Sequence, residues 1–248
     1  MSRIGVSISA IAAGIVLILL AAPFTTILTG TDWRHFSLGA EDIDAILTSI
    51  SLGLVSLILI ALLGTPVAAW LAAAPPGRHR AAQILVLLPL LTPPLALGIL
   101  LATFYGGSGI AGRLGANLTN NRAAFILAAI YAGLPTYIIA ARASLAEVPP
   151  ALTEVARTLG LAPAAIFFRV ALPLSRNGLA AALALAWVRA VGELGIVLII
   201  AYFPQGMPIR LWVDLQDQGV GATFPLLLAF LGATLPLPLW LLGGAMRR

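Results

Sequence analysis

The chain has 248 residues, of which 60% are hydrophobic and only 9% are charged, and its mean hydropathy is +1.05. Soluble domains carry about 25% charged residues, so this composition excludes a water-soluble globular protein and indicates an integral membrane protein. The chain has no cysteine and only two histidines, His35 and His79, which argues against disulfides and against a zinc or haem site.

Six segments are long and apolar enough to cross a bilayer, which takes about 20 helical residues. None shows the alternation of a barrel strand, and no repeat or linker divides the chain, so we predict an all-α membrane protein with one domain, residues 1–248. The first segment is longer than the apolar core of a signal peptide, about 7–15 residues, and is interpreted as a retained span. The six predicted transmembrane helices are residues 4–28, 46–74, 83–104, 123–141, 177–201 and 222–245.

Arginines predict the orientation of these spans, since the chain has no lysine. With the N-terminus inside, the cytoplasmic segments hold nine arginines, whereas the external loops hold four arginines and six acidic residues. This distribution follows the positive-inside rule and places both termini in the cytoplasm. It also accounts for the net charge of +5 without a nucleic-acid partner. The cytoplasmic arginines are Arg3, Arg78, Arg80, Arg142, Arg157, Arg169, Arg176, Arg247 and Arg248.

Residues 142–176 then form the longest cytoplasmic loop, between spans four and five, and local signals predict two short helices in it. Pro149 and Pro150 suit a helix start, Gly160 a C-terminal stop, and a second helix runs from Pro163 to an end at Pro173. The apolar face of the first helix holds Leu152, Val155, Ala156 and Leu159, which follow helical spacing. Such an amphipathic helix either lies on the lipid surface or docks a cytoplasmic partner.

This stretch, EVARTLGLAPAAIFFRVALP (residues 154–173), resembles the cytoplasmic loop of ABC-type import permeases. The family pattern is E-A-A-x-x-x-G, nine residues, then I-x-L-P; the spacing is intact here, with Val155 in place of Ala and Val170 in place of Ile. The resemblance implies a coupling helix, within residues 147–173, that sits in a groove of an ATP-hydrolysing subunit. The implied coupling residues are Glu154, Val155, Ala156, Arg157, Gly160, Leu172 and Pro173.

Three stretches are similar to the permeases of molybdate, tungstate and sulfate importers. They are LPLLTPPLALGILL (88–101), EVARTLG (154–160) and RAVGELGIVLIIAYFP (189–204). The family forms are L-P-L-x-x-P-P, E-x-A-R-T-L-G and R-x-L-G-E-[FY]-G; here Val191 replaces a leucine and Leu194 an aromatic residue. The A-Y-F-P ending looks most like the molybdate/tungstate branch, since sulfate permeases more often read A-G-N there. The alternative implied substrate is sulfate or thiosulfate.

The resemblance also implies partners and a location. These are a second copy of the chain in a homodimer, two cytoplasmic ATP-binding subunits and an extracytoplasmic oxyanion-binding protein, in the cytoplasmic membrane of a prokaryote. The chain has no G-x-x-x-x-G-K-[ST] motif, so we expect it not to be an enzyme. ATP and Mg²⁺ are expected to bind the partner, and this chain is expected to hold no cofactor or metal.

Two other functions are less consistent with the sequence. A secondary transporter needs ionisable residues within the spans of both halves, or a repeat, whereas here the charges within the spans lie in one span only. A channel would leave the pattern at residues 154–173 without a role.

Two groups of residues within the spans are candidates for the translocation pathway. Arg189 and Glu193 lie four residues apart in the fifth span and can form a structural ion pair or line a gate; an unpaired charge at that depth costs about 2.5–3.5 kcal/mol. Prolines at 89, 93 and 94 remove amide donors and disturb the third span. The predicted pathway or gate residues are Thr92, Pro93, Pro94, Arg189, Gly192 and Glu193.

Overall fold

The computed structural model describes residues 3–34, 36–73, 75, 77–115 and 117–246. Within these residues the chain is mostly helical and forms no β-strand, which confirms the all-α prediction. Four positions used above, His35, Ala74, Arg247 and Arg248, lie outside the described residues. The helices are α1 (Arg3–Gly30), α2 (Ala40–Ala72), α3 (Arg80–Leu91), α4 (Pro94–Tyr105), α5 (Ile110–Arg113), α6 (Arg122–Ala146), α7 (Pro150–Thr158), α8 (Pro163–Ile166), α9 (Leu172–Leu174), α10 (Arg176–Val191), α11 (Gly195–Ile200), α12 (Met207–Gln218), α13 (Val220–Thr234) and α14 (Pro236–Met246), and a π-helical turn, Phe167–Ala171, joins α8 to α9.

Five helical segments of the described chain are long and apolar enough to cross a membrane, and a bent pair of helices allows a sixth. The bent pair is Pro163–Leu174 with Arg176–Val191, at an angle of 77°. Leu17, Ile18 and Leu19 of α1 are 66–68% exposed, as suits side chains that lipid solvates. The five segments are Ile11–Gly30, Ala40–Ala72, Pro94–Arg113, Arg122–Ala146 and Val220–Gly243.

The centre of the fold is a bundle of α2, α6 and α10, whose small residues permit close contact. A Cβ atom added at Gly64 would lie 2.5 Å from the ring of Tyr137, and one added at Gly133 would lie 2.8 Å from Ile60. Tyr137 and Ile60 are almost completely buried. Helices in lipid associate through such packing because burial from water no longer drives them together.

The sixth predicted span, residues 222–245, consists of two helices, α13 and α14, which meet at Leu235. Proline at position 238 has no N–H, so the carbonyl of Thr234 lacks the donor that a regular helix would supply. The buried indole of Trp187 in α10 donates to this carbonyl at 2.9 Å. A side chain of the central bundle thus satisfies the backbone at the break.

The third predicted span, residues 83–104, is also two helices, because α3 ends at Leu91 and α4 begins at Pro94. Pro93 and Pro94 supply no backbone donors, and the Thr92 hydroxyl donates to the carbonyl of Leu88 at 2.8 Å. The prolines therefore do more than disturb the span: they divide it.

The fifth predicted span, residues 177–201, is likewise divided, although it contains no proline. The helix α10 ends at Val191 and α11 begins at Gly195. The prediction of one continuous helix was wrong here because hydropathy records how apolar a segment is and carries no information on backbone direction.

The segment 202–221, predicted to be an external loop, contains the twelve-residue helix α12. Its first residue, Met207, is fully buried, and its N–H donates to the hydroxyl of Ser49 in α2 at 2.8 Å. A Cβ atom added at Gly206 would lie 2.7 Å from both that hydroxyl oxygen and the ring of Phe125. The start of this segment therefore packs against both α2 and α6.

The predicted orientation can be measured with single cysteines, since the chain has none of its own. Asp44, Gln216 and Thr158 are exposed, so each replacement leaves the packing intact. We expect cysteines at 44 and 216 to react with an impermeant maleimide added outside spheroplasts, and one at 158 to react only after lysis. The reverse pattern would contradict the arginine-based orientation.

Candidate functional site

The predicted first helix of the cytoplasmic loop is present as α7, which begins at Pro150. Gly160 follows it with φ +79°. The N–H of Leu161 donates to the carbonyl of Ala156 at 3.1 Å, and the N–H of Gly160 donates to that of Arg157 at 2.9 Å. These two bonds form a Schellman motif, which needs a left-handed residue after the helix end. The glycine therefore sets the direction in which the chain leaves α7.

The predicted apolar face of α7 is largely uncovered in the single chain. Ala156 is 5% exposed, whereas Leu152, Val155 and Leu159 are 46%, 56% and 76% exposed. Glu154 and Arg157, on the other face, are exposed as well. An exposed row of apolar side chains on a helix indicates an interaction surface, which can contact either the lipid surface or a second protein.

After Gly160 the chain returns to the bundle through the segment Pro163–Leu174. Phe167 and Leu172 pack against the central core, while Pro173 is exposed. The helical turn ends at Leu174, one residue beyond the predicted end at Pro173. The preceding π-helical turn, in which the N–H of Leu172 reaches back to the carbonyl of Phe167, shifts the hydrogen-bond register and lets the helix include this proline.

The two broken spans meet at their breaks. A Cβ atom added at Gly195, the first residue of α11, would lie 2.7 Å from the Cβ of Pro94, the first residue of α4. Four residues on, one added at Gly98 would lie 3.0 Å from Ile199. The helices α4 and α11 therefore run side by side in the same direction from a common level. Of the predicted pathway residues, Pro94 lies at this contact; Thr92 and Pro93 directly precede α4 in the chain, and Gly192 and Glu193 lie in the break that precedes α11.

The predicted ion pair between Arg189 and Glu193 is present, with 3.4 Å between Nη1 and Oε2. The carboxylate side chain is 2% exposed and the guanidinium side chain 45%. The carboxylate is also a helix cap, since its Oε1 accepts the N–H of Ile196 at 3.2 Å, and negative charge is stabilised at a helix start. Glu193, two residues before α11, thus caps the first turn of that helix, while Arg189 is exposed on the surface of the chain.

A second charged group, which sequence reasoning missed, joins α2 to α12. Arg210 contacts Glu41, Asp42 through a 3.0 Å Nε–Oδ1 hydrogen bond, and Asp214 at 3.1 Å. The Asp214 contact is ionic, because its Oδ1 accepts no hydrogen bond. Burial raises the pKa of the Asp214 carboxyl, and the adjacent guanidinium opposes this shift. The spacing of Arg210 and Asp214, four residues apart, was the available signal for a helix.

The chain is similar to known transport proteins. The family model described as the binding-protein-dependent transport system inner membrane component matches residues 64–241. A probable molybdenum ABC transporter permease protein of Haloferax volcanii is 33% identical over 169 residues, 68% of this chain and 63% of that protein. The molybdenum transport system permease protein ModB of Mycobacterium tuberculosis is 31% identical over 233 residues, 89% of this chain and 88% of that protein.

A crystal structure of a bacterial alginate ABC transporter, in complex with an alginate-bound periplasmic protein, contains a chain of the same fold. The two chains superpose with a TM-score of 0.76 over 99% of this chain and 95% of that one, at 17% identity. At this identity the likeness establishes the fold alone. Since the family model covers more than half of its length, the chain belongs to the binding-protein-dependent transport system inner membrane components.

Proposed function

We propose that this chain is the permease subunit of an ATP-driven importer that carries molybdate or tungstate into the cytoplasm. Both are tetrahedral dianions of nearly the same size, so a pathway that admits one admits the other. The two molybdenum permeases similar to this chain support the substrate class. Sulfate or thiosulfate, which are also tetrahedral oxyanions, form the second candidate class.

The observation that carries the proposal is the exposed apolar stripe of α7. Leu152, Val155 and Leu159 are each at least 46% exposed, and the left-handed turn at Gly160 sets the direction in which the chain leaves the helix. Three apolar side chains at helical spacing fit a groove on another protein. An ATP-hydrolysing subunit that receives this helix can move it, and thereby move the spans connected to it.

The connections of α7 lead directly to the broken spans. Its N-terminal end continues from α6 through residues 147–149, and its C-terminal end leads through the segment Pro163–Leu174 into α10. The helix α10 ends at the break that adjoins Pro94. Displacement of α7 on ATP binding thus reaches the level at which the two breaks meet, which is where we place the gate.

The transporter that we propose contains two copies of this chain and two ATP-binding subunits, which hold ATP and Mg²⁺. An extracytoplasmic binding protein delivers the oxyanion to the external face. The arginine distribution supports a cytoplasmic location for both termini and for α7. Arg189 and the breaks at 92–93 and 192–194 then belong to the pathway within the bilayer.

The test is uptake by proteoliposomes that contain the purified permease, its ATP-binding subunits and the binding protein. We expect accumulation of radiolabelled molybdate with ATP inside, background uptake with a non-hydrolysable ATP analogue, and competition by tungstate at an equal concentration. Equal competition by sulfate would favour the second substrate class. Equilibration of molybdate without ATP would indicate a channel, and a requirement for an ion gradient would indicate a secondary transporter.

A further inference from the structure

The bend between the segment Pro163–Leu174 and α10 is held by two hydrogen bonds to α6. Ser175, at the bend of 77°, is 3% exposed. Its hydroxyl donates to the carbonyl of Ser144 at 3.3 Å, and the hydroxyl of Ser144 donates to the carbonyl of Ser175 at 3.2 Å. We refer to this reciprocal pair of bonds as the serine clasp.

A glycine makes the serine clasp possible. A Cβ atom added at Gly178, in the first turn of α10, would lie 2.1 Å from the Oγ and 2.5 Å from the Cβ of Ser144. Any side chain there would push α10 away from α6 and separate the two serines. The small residue brings the two helices to hydrogen-bonding distance at this level.

The backbone does not require the serine hydroxyls. The carbonyl of Ser175 already accepts the N–H of Leu179 at 2.9 Å, and the carbonyl of Ser144 accepts the N–H of Glu147 at 3.3 Å. Alanine at both positions would fill nearly the same volume and leave no carbonyl without a donor. The hydroxyls therefore add fixed geometry between two helices, rather than satisfying groups that would otherwise be unpaired.

The serine clasp joins the two ends of the loop that carries α7. Ser144 lies in the last turn of α6, just before the chain leaves for α7, and Ser175 lies where the chain returns to α10. The clasp thus closes the base of the whole coupling loop. With the base closed, a force on α7 moves α6 and α10 together; with the base open, the bend at Ser175 absorbs the movement.

We propose that the serine clasp is the positioning element that transmits displacement of α7 to the broken span containing α10. The proposal rests on the proposed function, because it presumes an ATP-hydrolysing partner on α7. It assigns Ser144 and Ser175 a part in the coupling of transport to ATP hydrolysis, a role distinct from binding the partner or the oxyanion.

The test compares wild-type transporter with Ser144→Ala, Ser175→Ala and the double variant, each purified through a tag on the ATP-binding subunit so that only assembled complexes are measured. In proteoliposomes, we expect molybdate transported per ATP hydrolysed to fall about five- to tenfold in the double variant, as expected for the loss of two neutral hydrogen bonds. ATP hydrolysis itself is expected to persist. Each single variant keeps the bond from the other hydroxyl and should therefore lose less than the double variant.

The matched control is Ser56→Ala, a buried serine whose hydroxyl donates to the carbonyl of Leu52 within its own helix at 2.7 Å. It should keep the wild-type ratio. An unchanged ratio in the Ser144 and Ser175 variants would overturn the proposal, as would failure of these variants to assemble, which would make the clasp an assembly contact. Uptake by the wild-type transporter is measured first. If it shows no ATP-dependent uptake, the proposed function itself fails, independently of the variants.

Discussion

Replacing Gly160 by valine is expected to reduce recovery of the permease with its ATP-binding subunits about tenfold or more. Gly160 has φ +79°, and a residue with a Cβ atom pays roughly 1–2 kcal/mol in that region, with β-branched residues the least tolerated. A loss of 1.4 kcal/mol is about a factor of ten in affinity. Relief of the strain would break the Schellman motif and turn α7 away from its partner. Co-purification and ATP-dependent uptake measure the effect.

The chain offers a matched control for this substitution. Gly115 has φ +88°, and a Cβ atom added there meets nothing within 4 Å, as at Gly160. Gly115→Val thus introduces the same backbone strain in a loop remote from α7 and should leave assembly intact. Normal assembly and transport of Gly160→Val would contradict the coupling role of the turn. Equal losses in both variants would attribute the effect to general instability.

Replacing Arg189 by methionine is expected to be more harmful than replacing Glu193 by glutamine. The first change leaves a carboxylate with 2% exposure and only the N–H of Ile196 as a hydrogen-bond partner, at a cost of roughly 1–3 kcal/mol or more. The second change removes the buried charge, keeps an acceptor for that N–H, and leaves an arginine that is already 45% exposed. Thermal unfolding in detergent and uptake measure both variants.

The double variant separates an ion pair from a substrate ligand. If Arg189 serves chiefly to neutralise Glu193, then Arg189→Met with Glu193→Gln should recover much of the stability and transport lost in Arg189→Met alone. If Arg189 binds the oxyanion directly, uptake should be lost in both the single and the double variant while stability recovers. Strictly additive losses in stability would contradict the pairing. The arginine precedes the glutamate, which is the weaker order for a helical pair, and the helix ends between them, so the pair depends on the break at 192–194.

Composition and local sequence signals establish the class of the protein and the form of the helix α7. With 60% hydrophobic residues, only lipid can solvate the chain, and that conclusion sums over residues without reference to their arrangement. The helix α7 and its turn were predictable because their signals are local: proline at the start, apolar residues at helical spacing, and glycine where φ is positive. Each of these acts within one or two turns of the chain.

Contacts between residues far apart in the chain set where the spans are broken and which residues meet at the breaks. The break at 192–194 contains no proline that would predict it from the sequence. It lies level with the start of α4 because Gly195 packs on Pro94, about a hundred residues away in sequence. The serine clasp joins residues 31 apart and the bond from Arg210 to Asp42 joins residues 168 apart. Hydropathy measures the free energy of moving a segment into lipid, which is nearly the same for a straight helix and a broken one. The direction of the backbone is set instead by which distant groups satisfy its donors and acceptors.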